Sequence, residues 1–397
     1  MKKKVIIIIC VILVIMLIPV RLQLKDGGTI EYKSILYKVS KVHRTIDNGF
    51  DIGTEIRILG FKVFDNVESV YEKKELKETK GVEVVPTLSD KISKDTSWCP
   101  TFQLIWNDFK NDIVKQNIKF DKKLDMLDNL NKEEFTTKDI SDNYYYKIYG
   151  RKNLELKSKI ENAIKEKFNQ KSDILDQFDW SSDALDSGED VIDRYFLYSM
   201  LYREFEFNKK FDTFNDKFKD IKNVEYFGII KESNLIRNQI KVYYYNNEND
   251  FAIKLITKNN DEVIVIKNPK GETFEEIYNN IKDKQTTSFN SDDNFMMPKI
   301  DFNVLREYSE LENKEIETID GIYTIEKAIQ SIKFSLDEKG GKVKSEAGMD
   351  VKFEATASDK KIRNFYVDDT FALFLKESNK DKPYFALRVD DISKFQQ

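Results

Sequence analysis

From Gly341 to Glu354 the chain alternates without a break. Gly341, Val343, Ser345, Ala347, Met349, Val351 and Phe353 occupy one parity, and Lys342, Lys344, Glu346, Gly348, Asp350, Lys352 and Glu354 the other. A period of two held over about 14 residues is the pattern of a β-strand with one buried face. It fits a strand already seated in a sheet and, equally, an exposed segment able to enter one, because length does not separate the two. Before it lies the mixed run from Ile325 to Gly341. After it the polar stretch Thr356 to Arg363 leads into two apolar runs, Phe365 to Leu375 and Pro383 to Val389. These last two are read as a strand pair, with Phe334, Leu336, Phe371, Phe374 and Phe385 as core residues.

A chain of 397 residues can fill one large core and a small one. Alternating runs such as Thr29 to Lys33, Ile35 to Val42, Glu55 to Ile58 and Phe61 to Phe64 are divided by Gly27-Gly28 and Asp47-Asn48-Gly49. They predict a small antiparallel β module over residues 25–66. Residues 67–96, rich in lysine and glutamate from Tyr71 to Glu78, are expected to be a charged, solvated linker. The larger domain is then 97–397. Phe102, Ile105, Trp106, Phe109 and Ile113 fall at helical spacing, as do Leu156, Ile160, Ile164 and Phe168 behind Asn153, a cap residue. Thr273 and Glu276 form a capping box for a third helix. Tyr195 to Tyr202 reads as a strand, and Gln239 to Tyr245, Phe251 to Thr257 and Glu262 to Ile266 as a meander joined by turn-rich Asn246 to Asp250 and Asn259 to Asp261. Helices ahead of antiparallel strands indicate an α+β fold class and speak against a βαβ nucleotide-binding sheet.

Lys2, Lys3 and Lys4 precede an uncharged run from Val5 to Val20, which Arg21 closes. About 16 residues is short against the ~20 of a spanning helix, yet the lysines favour retention of that end in the cytoplasm. Val20-Arg21-Leu22-Gln23-Leu24 offers no small-residue cleavage site. Residues 1–24 are therefore expected to be an uncleaved N-terminal hydrophobic anchor. The expected location is the cell membrane, crossed in a single pass through residues 5–20, with the bulk of the chain extracytoplasmic. Cys99 is the one cysteine outside that segment, so the exported part forms no internal disulfide.

Lysine and arginine number 65 against 70 aspartate and glutamate, a net charge of -5, which leaves no basic surplus for a phosphate backbone and no nucleic-acid partner. His43 is the single histidine, so no His-pair metal site is expected and a Ser-His-Asp triad would have to form across two modules. Cys99, between Trp98 and Pro100, reads as a packed thiol. The glycine patterns of phosphate-cradling loops are absent, Ser358-Asp359-Lys360-Lys361 is a chance match in a lysine-rich chain, and Asp292-Asp293 and Asp368-Asp369 read as solvated. No catalytic residue and no cofactor is assigned. The chain is not expected to be an enzyme.

The hinge Leu336-Asp337-Glu338-Lys339-Gly340, the loop behind it and the aromatic-rich return strands follow one another in an order that resembles the carboxy-terminal part of a serpin, a serine protease inhibitor. Tyr198 to Tyr202 with Phe207 and Lys210-Phe211-Asp212 is similar to that family's central strand and aromatic turn. Met297-Pro298-Lys299-Ile300-Asp301-Phe302 is similar to its strand entry, and the likeness covers residues 98–392. The resemblance implies mixed helices with large antiparallel and mixed sheets. It also implies a reactive-loop hinge at Glu338, Gly340, Gly341, Val343, Ser345 and Ala347, and a scissile region at Lys352, Phe353, Glu354 and Ala355, with Lys360 and Arg363 as further recognised residues. A protease is the implied partner.

Several positions depart from the family pattern. The long helix that crosses a serpin's main sheet is expected to be missing or reduced between Trp180 and Tyr195. Ser199 and Gln330 replace the family's Asn and His, so the latch between strands must use other partners. Lys342-Val343-Lys344-Ser345-Glu346 replaces a small-alanine run. The alternative is a non-inhibitory, serpin-like binding module of the cell surface.

Overall fold

The computed structural model describes residues 16–24, 28–46, 49–71, 78–180, 194–229, 234–319, 321–341 and 362–396. The chain divides into two units, Met1–Glu75 and Leu76–Gln397. Strands β1 (Val20–Gln23), β2 (Ile30–Lys33), β3 (Tyr37–Ile46), β4 (Gly49–Ile58), β5 (Phe61–Asp65) and β6 (Glu68–Tyr71) make up the first. They form one sheet in the order β1-β2-β3-β4-β5, with β6 paired to β4. Two expected boundaries shift. Val20–Gln23, placed in the anchor, pairs with β2, and Glu68–Tyr71, placed in the linker, pairs with β4. The earlier part of the expected anchor, residues 1–15, lies outside the described residues. Among the described residues no helix is long and apolar enough to cross a membrane.

The second unit opens with β7 (Glu83–Val85), β8 (Thr96–Trp98), α1 (Thr101–Asp108), α2 (Asp125–Asn131), β9 (Tyr145–Arg151), α3 (Leu154–Phe168), β10 (Tyr195–Leu201) and β11 (Phe205–Glu206). Next come β12 (Asp212–Phe218), β13 (Ile221–Gly228), α4 (Asn234–Arg237), β14 (Ile240–Asn247), β15 (Asp250–Ile256), β16 (Asp261–Lys267) and α5 (Phe274–Asn279). The remainder is β17 (Thr287–Ser288), β18 (Asn294–Pro298), β19 (Ile300–Glu307), β20 (Glu315–Thr318), β21 (Gly321–Thr324), β22 (Ile329–Leu336), β23 (Gly340–Gly341), β24 (Asn364–Tyr366), β25 (Phe371–Glu377) and β26 (Pro383–Val389). The unit is α+β.

Its centre is an eight-stranded sheet, β17-β14-β15-β16-β25-β26-β8-β7. Every residue from Phe371 to Leu375 and from Tyr384 to Leu387 is buried, so both faces of β25 and β26 are covered. That explains why these runs are continuously apolar and do not alternate. Phe371, Phe374, Phe385 and Leu336 are core residues as expected, but Phe334 is half-buried, with its ring 4.5 Å from that of Phe385. The expected linker 67–96 is also corrected: Glu83–Val85 pairs in parallel with Thr96–Trp98, and Val82, Val84, Val85 and Leu88 are buried. Val82, Val84 and Val85 seat the segment in the core while Glu83 between them stays outside.

The predicted helix starts hold. Asn153 Oδ1 accepts from Leu156 N at 2.8 Å and Thr273 Oγ1 from Glu276 N at 3.1 Å. The first helix leaves the α-helical form at Phe109 and continues as a π-helix to Val114. Leu156, Ile160, Ile164 and Phe168 form one buried cluster with Phe196 and Tyr198, so α3 packs on the β9–β10 pair. Residues 181–193, where the long crossing helix is expected to be missing or reduced, lie outside the described residues.

Candidate functional site

Strand β10 is hydrogen-bonded to β9 on one side, and β22 to β19 on one side. Among the described residues no ladder joins β10 to β22. Between them lies a cavity of about 800 Å³ walled by residues 194–205 and 322–335, with Thr101, Phe102 and Phe385 also on its surface. Both ends of the two walls are tied. At one end Phe205 and Glu206 pair with Gly341 and Gly340, and Phe207 N and Phe211 N donate to the carbonyls of Lys339 and Glu338, each at 2.9 Å. At the other, Arg194 Nε lies 3.2 Å from Glu326 Oε1. The two walls therefore run in the same direction, each with an edge of backbone groups unused by a neighbouring strand.

A short strap links the walls as well. Residues 172–177, which follow α3, reach β22 through Asp173, 2.8 Å from Lys333 Nζ, and through Gln177, whose carbonyl accepts from Lys327 Nζ at 3.2 Å. Beside the strap, Ser199 Oγ on β10 is buried without a hydrogen-bond partner. Gln330 on β22 has three: its Nε2 donates to Cys99 O and Thr101 Oγ1, both at 2.9 Å, and its Oε1 accepts from Tyr308 at 2.7 Å. Gln330 has thus found other partners and Ser199 none, and β22 is fastened to the start of α1, not to β10.

Residues 338–341, expected to be the hinge, sit at the tied mouth of the cleft. Gly340 adopts φ +120°, and a Cβ there would lie 2.5 Å from Phe205 O and 2.7 Å from Glu206 Cα. Only glycine allows this approach. Gly340→Ala is expected to cost roughly 1 to 3 kcal/mol, the range for a backbone forced from its preferred conformation. Urea unfolding measures the loss, and faster hydrogen exchange at the Phe207 and Phe211 amides places it at the mouth; wild-type exchange there would show that the pairing survives.

Glu338 is buried, 3.1 Å from Lys299 Nζ and 3.4 Å from Lys210 Nζ. Burial pushes its carboxyl up, but a backbone hydrogen bond and the two lysines outweigh that and hold it below the usual glutamate range. Asp337 beside it is raised by burial.

Of the residues expected to form the loop, the structure brings Glu338, Gly340 and Gly341 to this mouth. Val343, Ser345, Ala347, Lys352, Phe353, Glu354, Ala355 and Lys360 lie outside the described residues. Arg363, considered for protease recognition, instead donates from Nε to Asp293 Oδ1 at 3.0 Å, and Asp293 is buried, not solvated. Asp368 likewise pairs with the buried Lys267. The Cys99 thiol is buried and pushed up to about 11, far from the reactive thiolate range. His43 is exposed on β3. Among the described residues no cluster of His, Cys, Asp and Glu could hold a metal.

Sequence reading missed a polar cluster at one end of the cleft wall. Arg203 Nε donates to Asp261 Oδ2 at 2.8 Å, Tyr384 donates to Asp261 Oδ1 at 2.9 Å, and the Arg203 guanidinium lies 4.0 Å from the Tyr144 ring. Burial pushes the Asp261 carboxyl up, and Arg203 and Tyr384 pull against it. No local signal separates Asp261, in a turn-rich Asn-Asn-Asp stretch, from a solvated aspartate.

No family model matches the chain, and no curated protein does. Solved structures do. The thermophilic serpin tengpin in its native state aligns over 76% of this chain and 90% of its own, at 14% identity and a TM-score of 0.45. A serpin of the insect Tenebrio molitor aligns over 75% and 92%, at 12% identity and 0.43. The chain is similar to serpins. Another match is serpin-12 of Manduca sexta, a serine protease inhibitor, over 77% and 95% at 11% identity and 0.44. Thyroxine-binding globulin in complex with thyroxine matches over 75% and 92%, at 11% identity and 0.40.

Proposed function

We propose that this chain is a membrane-tethered, extracytoplasmic, serpin-like protein that engages a protease through the segment after Glu338. The observation that carries the reading is the cleft between β10 and β22, with the hinge Glu338, Gly340 and Gly341 at its tied mouth. The alternating segment that follows begins where an added strand would have to begin. Cleavage near Glu354-Ala355 frees one end, and Val343, Ala347, Met349, Val351 and Phe353 then become the buried face of a strand paired to both walls. Burying the larger of these is worth roughly 1.5 to 3 kcal/mol each, against about 1 to 2 kcal/mol per residue for ordering the backbone. Hydrogen bonds to two unused strand edges add to the gain.

The expected result is a higher Tm after cleavage in the segment. Val343→Asp should abolish that rise and leave the uncut protein nearly unchanged, while Lys344→Asp should do neither. An uncut protein that resists proteolysis there, and that Val343→Asp destabilises directly, would show a segment already seated as a strand and remove the inhibitor reading. The alternative, a non-inhibitory cell-surface binding module, is favoured by Lys342-Val343-Lys344-Ser345-Glu346 standing where small residues would insert readily. An SDS-stable adduct with a member of a protease panel decides for the inhibitor; clean cleavage without adduct decides for the module.

A further inference from the structure

The small sheet carries a feature that protease binding does not use. Its strand partners place Val20, Lys33, Lys38, Arg57 and Lys62 in one line across the sheet, since Val20 lies opposite Lys33, Lys33 opposite Lys38, Lys38 opposite Arg57 and Arg57 opposite Lys62. Beyond that line the two hairpin ends contain Ser34, Ile35, Leu36 and Tyr37, and Ile58, Leu59, Gly60 and Phe61, without one ionisable acid or amine. The two ends touch, for Leu59 N donates to Leu36 O at 2.8 Å. Ile35, Leu59 and Phe61 are 71%, 66% and 76% exposed, unusual for large apolar side chains gathered at one place. The chain enters the sheet at Val20 in the same line, from exposed Leu17 and Ile18 and the apolar run before them.

We propose that this apolar tip is seated in the interface of a lipid bilayer, with Lys33, Lys38, Arg57 and Lys62 as a collar at the phosphate level. The occupant follows from continuity. Only at this end does the apolar run of residues 5–20 join the sheet, so a membrane holding that run meets these hairpins first. Two residues past the line reach about 7 Å at ~3.4 Å per residue, within the ~5–10 Å depth of interfacial burial. Lysine and arginine behind an apolar tip suit anionic headgroups, and Tyr37 suits the boundary itself. Glu31, Glu55 and Asp65, which pair with Lys38, Arg57 and Lys62 at 2.6 Å each, lie two rows farther back, away from the tip. The inference rests on the anchor reading and adds a second contact to it.

The test uses the full chain reconstituted in phosphatidylcholine vesicles containing phosphatidylserine, with and without bromine on the acyl chains. Flotation with the vesicles reports the anchor alone. Phe61→Trp reports the tip, and Lys41→Trp, about 10 Å behind the collar on exposed β3, is the control. Emission added by Phe61→Trp should shift to the blue and be lost in brominated vesicles, while that added by Lys41→Trp is unchanged. A chain that floats with both emissions unquenched overturns the tip and leaves the anchor standing; a chain that does not float overturns both. A blue shift without vesicles that grows with protein concentration assigns the tip to a second copy and overturns the bilayer.

Discussion

Arg203→Met should destabilise the larger unit by about 3 to 5 kcal/mol at neutral pH, the usual effect of removing one partner of a buried ion pair. Asp261 is fully buried, and its Oδ2 accepts from Arg203 Nε at 2.8 Å. Methionine keeps the stem that packs beside Tyr144 and removes the charge. What remains is a carboxylate with no cation beside it and only the hydroxyls of Tyr384 and Tyr144 to donate to it, in a place where burial already pushes its pKa up. A carboxyl whose folded pKa is raised binds its proton more tightly in the folded state, so stability is regained as pH falls. The variant's deficit should therefore be greatest at neutral pH and shrink on acidification toward the ordinary aspartate range. Urea unfolding across that interval checks the sign, and a deficit independent of pH would mean that lost packing, not stranded charge, is the cause.

Phe374→Ala should cost roughly 3 to 5 kcal/mol, the range for deleting a fully buried aromatic ring. Phe374 lies opposite Ile264 on one neighbouring strand and Ala386 on the other, with the rings of Tyr278 and Phe274 at 5.5 and 6.0 Å. Ile264 and Ala386 belong to strands paired on both sides, and Phe274 and Tyr278 to α5, so the cavity has little room to collapse. Equilibrium denaturation gives the figure directly. A change below about 1 kcal/mol would show a site able to close on itself.

Local features of the chain proved readable where the physics is local. Asn153 and Thr273 announce their helices because a cap is made within three residues, and Asn246 to Asp250 announces a hairpin because a turn is made within five. Glu338 and Gly340, expected as a hinge from the resemblance, lie at the mouth of the cleft. What escaped was long-range. Glu83–Val85 looked solvated because its lysine-rich surroundings dominate composition, while its actual partner, Thr96–Trp98, is reached only through a parallel crossing. Phe334 looked like core because phenylalanine usually is, whereas one wall of an unfilled cleft leaves it half-covered. Asp261 and Asp293 carried no mark of burial, since the arginines that neutralise them, Arg203 and Arg363, lie far off in sequence.

The position of β25 and β26 decides when this protein can fold. They stand in the middle of the eight-stranded sheet, between β16 and β8, with Ala386 opposite Trp98 across nearly three quarters of the chain. The strands at the heart of the sheet are thus synthesised after all of its other strands. Until they emerge, β16 and β8 each face a missing neighbour, and closing a loop of such length is paid in entropy before any contact rewards it. Folding of the larger unit must follow synthesis of β26, and the newly made polypeptide must be kept from aggregating through its open strand edges in the meantime. A stop codon ahead of Pro383 would remove the keystone of the sheet, not trim its edge.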